Sequence, residues 1–474
     1  MRRAGSARSW PRVGRKAVQK GQALIYGIFF LMIGLASLFF LFNTGQLTRE
    51  KTKLVNTTDA VAYSAGVMHA RILNFDAYTN RAMVANTVAI AQLTSLSSWV
   101  QHTDNMASFG WVLNNPKFAL YYPAYFAAQT FGPTANSSLV QSGALGDLAR
   151  TSDKIILALA AAQQAAYLGL LPARKEVMDE VARANYRDDG TVIVDDVPLT
   201  GTEFTSFVSR YAGDDRKRFA EVAKTSANRD PFVRRRSWDL PALWSDCLSA
   251  TLSGRFDWLD RRGGTEMIGY DEWKAVDTLS EKRWVPKNKT DVMCMGLASD
   301  PVAWGAQTAA DNATIDLDPS HYDWALPTNP DSFGLAVATA ASDWGYSGLP
   351  RFYDLSDAVL KAAEDPRLKF AIRLRREKSQ TLTSGSRSAM LPSPRLNAYT
   401  ANAASDVYTA VAASEVYFER PIDVRNNVYG ESIGKPHEIG SLFNPYWQVR
   451  LMTPSDAALT AAQALQGVFV PMPK

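Results

Sequence analysis

Cys247 and Cys294 are the two cysteines of the 474-residue chain, and they could form a disulfide or remain free thiols. Two cysteines are too few for a thiolate zinc cluster, and the four histidines offer few other metal ligands. In an oxidising compartment the two thiols would pair. The bond would close a loop of about 48 residues and stabilise the fold by up to about 4 kcal/mol. The sequence does not show that their Cβ atoms meet, so both states stay open.

The sequence contains fragments of two catalytic motifs, and neither fragment is complete. His437-Glu438 has no second histidine four residues later, so the zinc-protease pattern is not satisfied. Gly430–Lys435 resembles a phosphate-binding loop but is one residue short, and Pro436 stands where a hydroxyl must reach Mg²⁺. We therefore expect no catalytic residue, no metal and no cofactor.

The apolar run Ala23–Phe42 is the element expected to determine where the rest of the chain lies relative to a membrane. It holds 20 residues without a charged side chain, and as a helix it spans roughly 30 Å, the thickness of a bilayer core. A cleaved signal peptide would have a shorter apolar region of about 7–15 residues and a small-residue cleavage site. We expect a retained transmembrane helix, with a cleaved signal or a buried core helix as the alternatives.

The charge distribution predicts the orientation of this helix. Residues 1–22 carry seven Lys or Arg and no acidic residue. Because basic segments stay on the cytoplasmic side, we expect a cytoplasmic N-terminus and an exported body after Phe42. A nucleic-acid binder would spread its basic residues over a folded face, so the expected contact of this tail is the lipid bilayer and nucleic acid is not an expected partner.

A repeat of apolar residues follows the transmembrane run. The residues occur every seven positions, as is typical of a helix with one face buried against another helix. They are Leu47, Leu54, Val61, Met68 and Phe75, and the repeat continues through Ala82, Ala89 and Leu96. Two interpretations remain open: the face is the internal core of a helical domain, or it is a surface that joins a partner.

Several stretches near the two ends of the chain carry a distinctive combination of residues. Lys20-Gly21-Gln22-Ala23 precedes the apolar run, and Asn56-x-x-Asp59-Ala60-x-Ala62-Tyr63-Ser64 follows it. The pattern continues through residues 74–86, and residues 413–421 and 441–451 add to it. In combination these stretches resemble TadG-like proteins of the tight-adherence (Flp-type) pilus systems.

This resemblance implies a non-enzymatic protein that assists assembly or anchoring of a Flp-type pilus or a related apparatus. It implies a single-pass protein of the bacterial inner membrane with a periplasmic body. Pilin-like subunits or pilus platform proteins are the implied partners, and a homo-oligomer is a further expectation. Two other functions stay open: a membrane-anchored periplasmic enzyme acting on envelope glycan or peptide, and an adhesin at a filament tip.

Gly21 and Gln22 fit the cleavage site of a prepilin. Counted from Gln22, however, the fifth residue is Tyr26, whereas pilins of this kind carry a glutamate there. Cleavage after Gly21 and entry into a filament therefore both stay open.

The expected fold is mainly α with some β: a single transmembrane helix continues into a long helix, and a mixed α+β body follows. The expected divisions are a basic tail (1–22), the transmembrane helix (23–42), a long helical segment (43–115) and a body (116–474) of one or two lobes. Within the body, helices are predicted over Ser138–Tyr186, Ala401–Phe418 and Pro454–Leu465.

Overall fold

A computed structural model describes residues 22–108, 115–195, 204–311, 328–340, 344–362, 365–381, 407–419 and 440–465. Nine α-helices lie in these ranges: α1 Gln22–Ser108, α2 Tyr122–Ala135, α3 Ala144–Asn185, α4 Phe204–Phe207, α5 Lys217–Ala227, α6 Leu248–Leu252, α7 Pro330–Ala338, α8 Asp357–Ala362 and α9 Asp456–Leu465. Ten strands accompany them: β1 Ile193–Asp195, β2 Val208–Tyr211, β3 Arg236–Pro241, β4 Trp258–Ile268, β5 Glu272–Val285, β6 Gly296–Ala309, β7 Phe352–Leu355, β8 Leu368–Glu377, β9 Val407–Phe418 and β10 Trp447–Met452.

Helix makes up 56% and strand 23% of the described residues. The predicted fold class, mainly α with some β, is therefore confirmed.

Helix α1 is 87 residues long, which corresponds to about 130 Å. No proline occurs between Pro11 and Pro116, so nothing in the sequence removes a helix hydrogen bond over this length. Its first part exposes large apolar side chains: Leu24 is 70% and Phe42 is 49% exposed. From Leu54 onward the same helix is packed among the other elements.

Three antiparallel sheets surround the second part of α1. The first sheet has the strand order β1-β8-β9-β10, the second pairs β2 with β7, and the third has the order β3-β4-β5-β6. The first sheet packs on the N-terminal turns of this part, where Leu54 and Val61 share a cluster with Ile372. The third sheet packs on the distal turns, where Ser98 Oγ donates a hydrogen bond of 3.0 Å to the Gly305 carbonyl.

Helix α3 runs antiparallel to α1 along its length. Leu145, near the start of α3, packs in one cluster with Ile90, whereas Met178, near its end, packs with Leu54. The predictions of helices near 138–186 and 454–465 are confirmed by α3 and α9.

The predicted helix over 401–418 is wrong in the described residues 407–418, which form strand β9. Its alanines suggested a helix, but they instead let α1 approach the sheet closely. Ser414 Oγ donates a hydrogen bond of 2.8 Å to the Ala62 carbonyl. A Cβ on Gly66 would lie 2.9 Å from Ser414 Oγ, so this contact needs small residues on both elements.

Candidate functional site

The predicted packing face of α1 is only partly buried. Leu54 and Val61 are 1% and 0% exposed, Leu47 and Met68 are half-buried, and Phe75 is 36% exposed. A seven-residue repeat drifts by about 20° per repeat around a straight α-helix, which is about 60° between Leu54 and Phe75. The structure therefore differs from the prediction at Phe75, which lies at the edge of the buried face.

The buried face follows the 3.6-residue period of the helix and includes many polar side chains. It passes through Thr58, Ala62, Ala65, His69, Leu73, Asp76, Asn80, Thr87, Thr94 and Ser98. Sequence reasoning missed the polar members because it followed apolar residues alone. The signal was present, since Asn, Thr and Ser recur at helical spacing along α1.

The body itself covers Leu54 and Val61. They share one cluster with Met178 and Ala182 of α3 and with Ile372 of β8. These contacts favour the internal-core interpretation for this part of the face over a surface that waits for a partner.

Two asparagines of α1 attach it to the C-terminal part of the chain. Asn74 Nδ2 donates to the Trp447 carbonyl at 2.9 Å, and the Trp447 amide donates to Asn74 Oδ1 at 3.0 Å. Asn80 is fully buried, and its Nδ2 donates to the carbonyls of Tyr353 (2.9 Å) and Leu442 (2.8 Å). The side-chain amides of Asn74 and Asn80 thus take the place of water as hydrogen-bond partners of these backbone groups.

Helix α3 completes this polar centre. Gln163 Nε2 lies 2.8 Å from Asn80 Oδ1 and 2.7 Å from Thr79 Oγ1, and it donates to both. Residues 74–86 and 441–451, which lie near opposite ends of the chain, thus meet at one place.

A buried carboxyl pair lies beside the asparagines. Burial and the nearby Asp354 carboxylate raise the pKa of Asp76 well above its ordinary value. Burial also raises the pKa of Asp354 to about 6, although Arg218 opposes this shift from 2.8 Å away. Neither carboxyl is exposed, so the pair does not present its oxygens to a substrate.

Lys117 occupies the centre of a second carboxylate cluster. Its buried Nζ lies 2.5 Å from Asp246, 2.8 Å from Asp257 and 2.6 Å from Glu281. Burial alone would lower the pKa of Lys117, but these hydrogen bonds outweigh it and raise the pKa. The three carboxylates are close enough to bind a metal ion, yet the ammonium group of Lys117 already lies between them and contacts all three. We interpret the cluster as a structural ion network; no sequence signal distinguished Lys117.

The remaining predicted residues have these positions. Cys247 and Cys294 are joined by a disulfide with their Cα atoms 6.4 Å apart, and Cys247 follows Asp246 of the Lys117 cluster. Gly21 lies outside the described residues, and Gln22 begins α1.

Two of the described helices are long and apolar enough to cross a membrane by length and composition. In α1 none of the apolar window is buried, as expected for a lipid-facing segment. In α3 the window is 17% buried, and this helix packs along α1. The described residues therefore place the clearer membrane signal at the N-terminal end of α1.

No curated protein and no solved structure matches the chain. The family comparison concerns the N-terminal part, which contains the apolar run and the first turns of the buried face of α1. Residues 21–69 match the model of the Flp pilus-assembly TadE/G-like family, and this region of the chain is therefore TadE/G-like.

Proposed function

We propose that the chain is a non-enzymatic protein of Flp pilus assembly, held in the bacterial inner membrane by residues 23–42. Its N-terminus lies in the cytoplasm and its body in the periplasm. Its partners are pilin-like subunits or platform proteins of the pilus apparatus. The match of residues 21–69 to the family carries this proposal.

The charge and exposure of α1 support the proposed topology. None of its apolar window is buried, so only a bilayer or another protein can remove this surface from water. The seven basic residues of the tail precede it, and such residues remain on the cytoplasmic side.

The continuity of α1 supports a role in positioning. The helix extends about 66 residues beyond Phe42, which is about 99 Å at 1.5 Å per residue. Since α3 and two sheets pack directly on this helix, the body cannot turn independently of the membrane anchor. The protein would therefore hold its partners at a defined distance from the bilayer and in a defined orientation.

The enzyme alternative gains no specific support from the described carboxylates. Glycoside hydrolysis needs two carboxyl groups that flank an open substrate site. Asp76 and Asp354 are buried, and Asp257 and Glu281 surround the ammonium group of Lys117.

Deletion of the gene in its own bacterium tests the proposal. We expect the amount of pili sheared from the cell surface to fall below detection and to recover when the full-length chain is restored. Unchanged pili in the deletion strain would contradict the proposal. Normal pili that no longer attach to a surface would favour the filament-tip adhesin instead.

A further inference from the structure

Among the described residues, one face of α1 is left open between α3 and α5. Arg81, Ala85, Val88, Gln92 and Leu96 lie along it at spacings of three and four residues. The 15 steps from Arg81 to Leu96 correspond to about 22 Å of helix. We call this open face the α1 groove.

Two cavities follow one another along the α1 groove. The first, of about 770 Å³, lies between α1, α5 and the turn at 441–444. The second, of about 450 Å³, lies between α1, α3 and the turn at 230–232. Val88 lines the first, and Gln92, one turn further along the same face of α1, lines the second, so the cavities adjoin on α1.

Apolar side chains form most of the floor. Val84, Val88, Val222 and Phe443 line the first cavity, whereas Ala89, Leu93, Leu96, Leu148 and Phe232 line the second. An apolar channel of this length beside a helix has the form that receives an amphipathic helix through side chains spaced by three and four residues.

Basic residues concentrate at the first cavity, which is the end of the α1 groove nearer the membrane anchor. Arg81, Arg218 and Arg229 line it, together with the single acidic residue Glu221. Arg218 is paired with the buried Asp354, whereas Arg81 and Arg229 make no ion pair among the described residues. This charge favours an acidic occupant.

The second cavity offers no comparable charge. Asp230 is its single ionisable lining residue. Its Oδ2 accepts a hydrogen bond of 2.7 Å from Gln92, and its Oδ1 accepts one of 2.8 Å from the Phe232 amide. The α1 groove is therefore basic at one end, and at the other it is apolar with a single carboxylate.

We propose that the α1 groove binds an acidic amphipathic helix of a partner protein. The occupant places an apolar stripe of about 15 residues on Val88 and Leu96. Its acidic end lies against Arg81 and Arg229, so it points towards the membrane. The inference that the partner belongs to the pilus apparatus rests on the proposed function. The inference that the occupant is an acidic helix rests on the α1 groove alone.

A designed peptide tests this inference on the full-length chain in nanodiscs of zwitterionic lipid. The probe is a labelled 15-residue helical peptide with a leucine stripe and three glutamates at one end, and the matched peptide carries lysines instead. We expect the glutamate peptide to bind at least tenfold more tightly than the lysine peptide, after subtraction of binding to empty nanodiscs.

Two variants connect the binding to the α1 groove. Arg81→Glu combined with Arg229→Glu should weaken the glutamate peptide at least tenfold, and Ala85→Trp should block both peptides by filling the floor. Lys224→Glu is the matched control and should leave binding unchanged. It reverses an exposed charge on the same helix as Arg218, but Lys224 does not line the cavity. Unfolding midpoints equal to wild type show that each variant is folded.

Equal affinity for the two peptides, or equal effects of the three variants, would overturn the inference. So would a dimer of the full-length chain that Ala85→Trp dissociates, because the α1 groove would then hold a second copy. Deletion of the gene with no loss of pili would contradict the proposed function and leave the peptide result standing.

Discussion

Asn74 on α1 and Trp447 at the start of β10 exchange two hydrogen bonds across 373 residues of sequence. The amide side chain pairs with the Trp447 backbone as a neighbouring strand would. Six residues along α1, Asn80 holds two more carbonyls of the body. These contacts join α1 to the C-terminal part of the chain.

Asn80→Ala should lower the free energy of unfolding by about 3 kcal/mol, because two buried carbonyls and the Gln163 amide each lose a hydrogen bond. Denaturant unfolding of the full-length chain in nanodiscs, followed by tryptophan fluorescence, measures the loss. Asn86→Ala is the matched control: among the described residues Asn86 donates to Ala82 of its own helix alone, so the variant should cost less than about 0.5 kcal/mol. Equal losses would show that Asn80 does not hold α1 to the body.

Val61→Glu and Phe75→Glu test which positions of the seven-residue repeat are buried in the protein. At Val61, which is 0% exposed, an unpaired charge should cost about 3 kcal/mol or more. At Phe75 the carboxylate can reach water, so the loss should stay near about 1 kcal/mol. The same unfolding measurement compares them. If the Phe75 variant were as unstable as the Val61 variant, Phe75 would be buried as the seven-residue repeat predicts.

Cys247 and Cys294 should be oxidised to each other in the protein isolated from cells. Maleimide labelling under denaturing, non-reducing conditions should modify no thiol, and two thiols should react after reduction. The double Ser variant should be less stable by up to about 4 kcal/mol, because the loop between positions 47 apart is no longer closed. Two labelled cysteines without reduction would refute the pairing.

Asp354 should make stability depend on pH. Burial raises its pKa in the folded protein to about 6 from an ordinary value of 3.8, so between these values the folded state binds more protons than the unfolded state. Stability therefore falls as pH rises through this range. Asp354→Asn should remove that fall, so the stability of the variant relative to wild type should rise between about pH 4 and about pH 6. Asp214→Asn, on an exposed residue, is the control. A constant difference between Asp354→Asn and wild type would contradict the expectation.

Sequence periodicity was sufficient for the elements whose signal is local. The charge-free run Ala23–Phe42, the proline-free stretch after it and the α3 and α9 helices all followed from residue type and spacing. It failed at β9, where alanines serve close packing: the Ser414 contact with Ala62 lies across 352 residues. It also failed at Phe75, because a seven-residue repeat drifts around the α-helix by about 20° at each repeat. By Phe75 this drift has carried the repeat to the edge of the buried face.

Side-chain contacts that depend on the tertiary fold were beyond sequence reasoning. Lys117 has three carboxylate partners that are 129 to 164 positions later in the chain, and nothing near it predicts them. Asn74 and Trp447 stood in two recognisable segments, yet neither segment carries information about the other. The α1 groove likewise forms where α3 and α5, within the described part of the chain, leave one face of α1 uncovered.

The central claim is that α1 both anchors the chain in the membrane and forms the core of an exported body. Alkaline phosphatase fused after Lys474 of the full-length chain tests it most directly, since this enzyme folds only outside the cytoplasm. The account predicts active phosphatase that stays with the membrane pellet after carbonate extraction. An inactive fusion, or an active one released by carbonate, would contradict it.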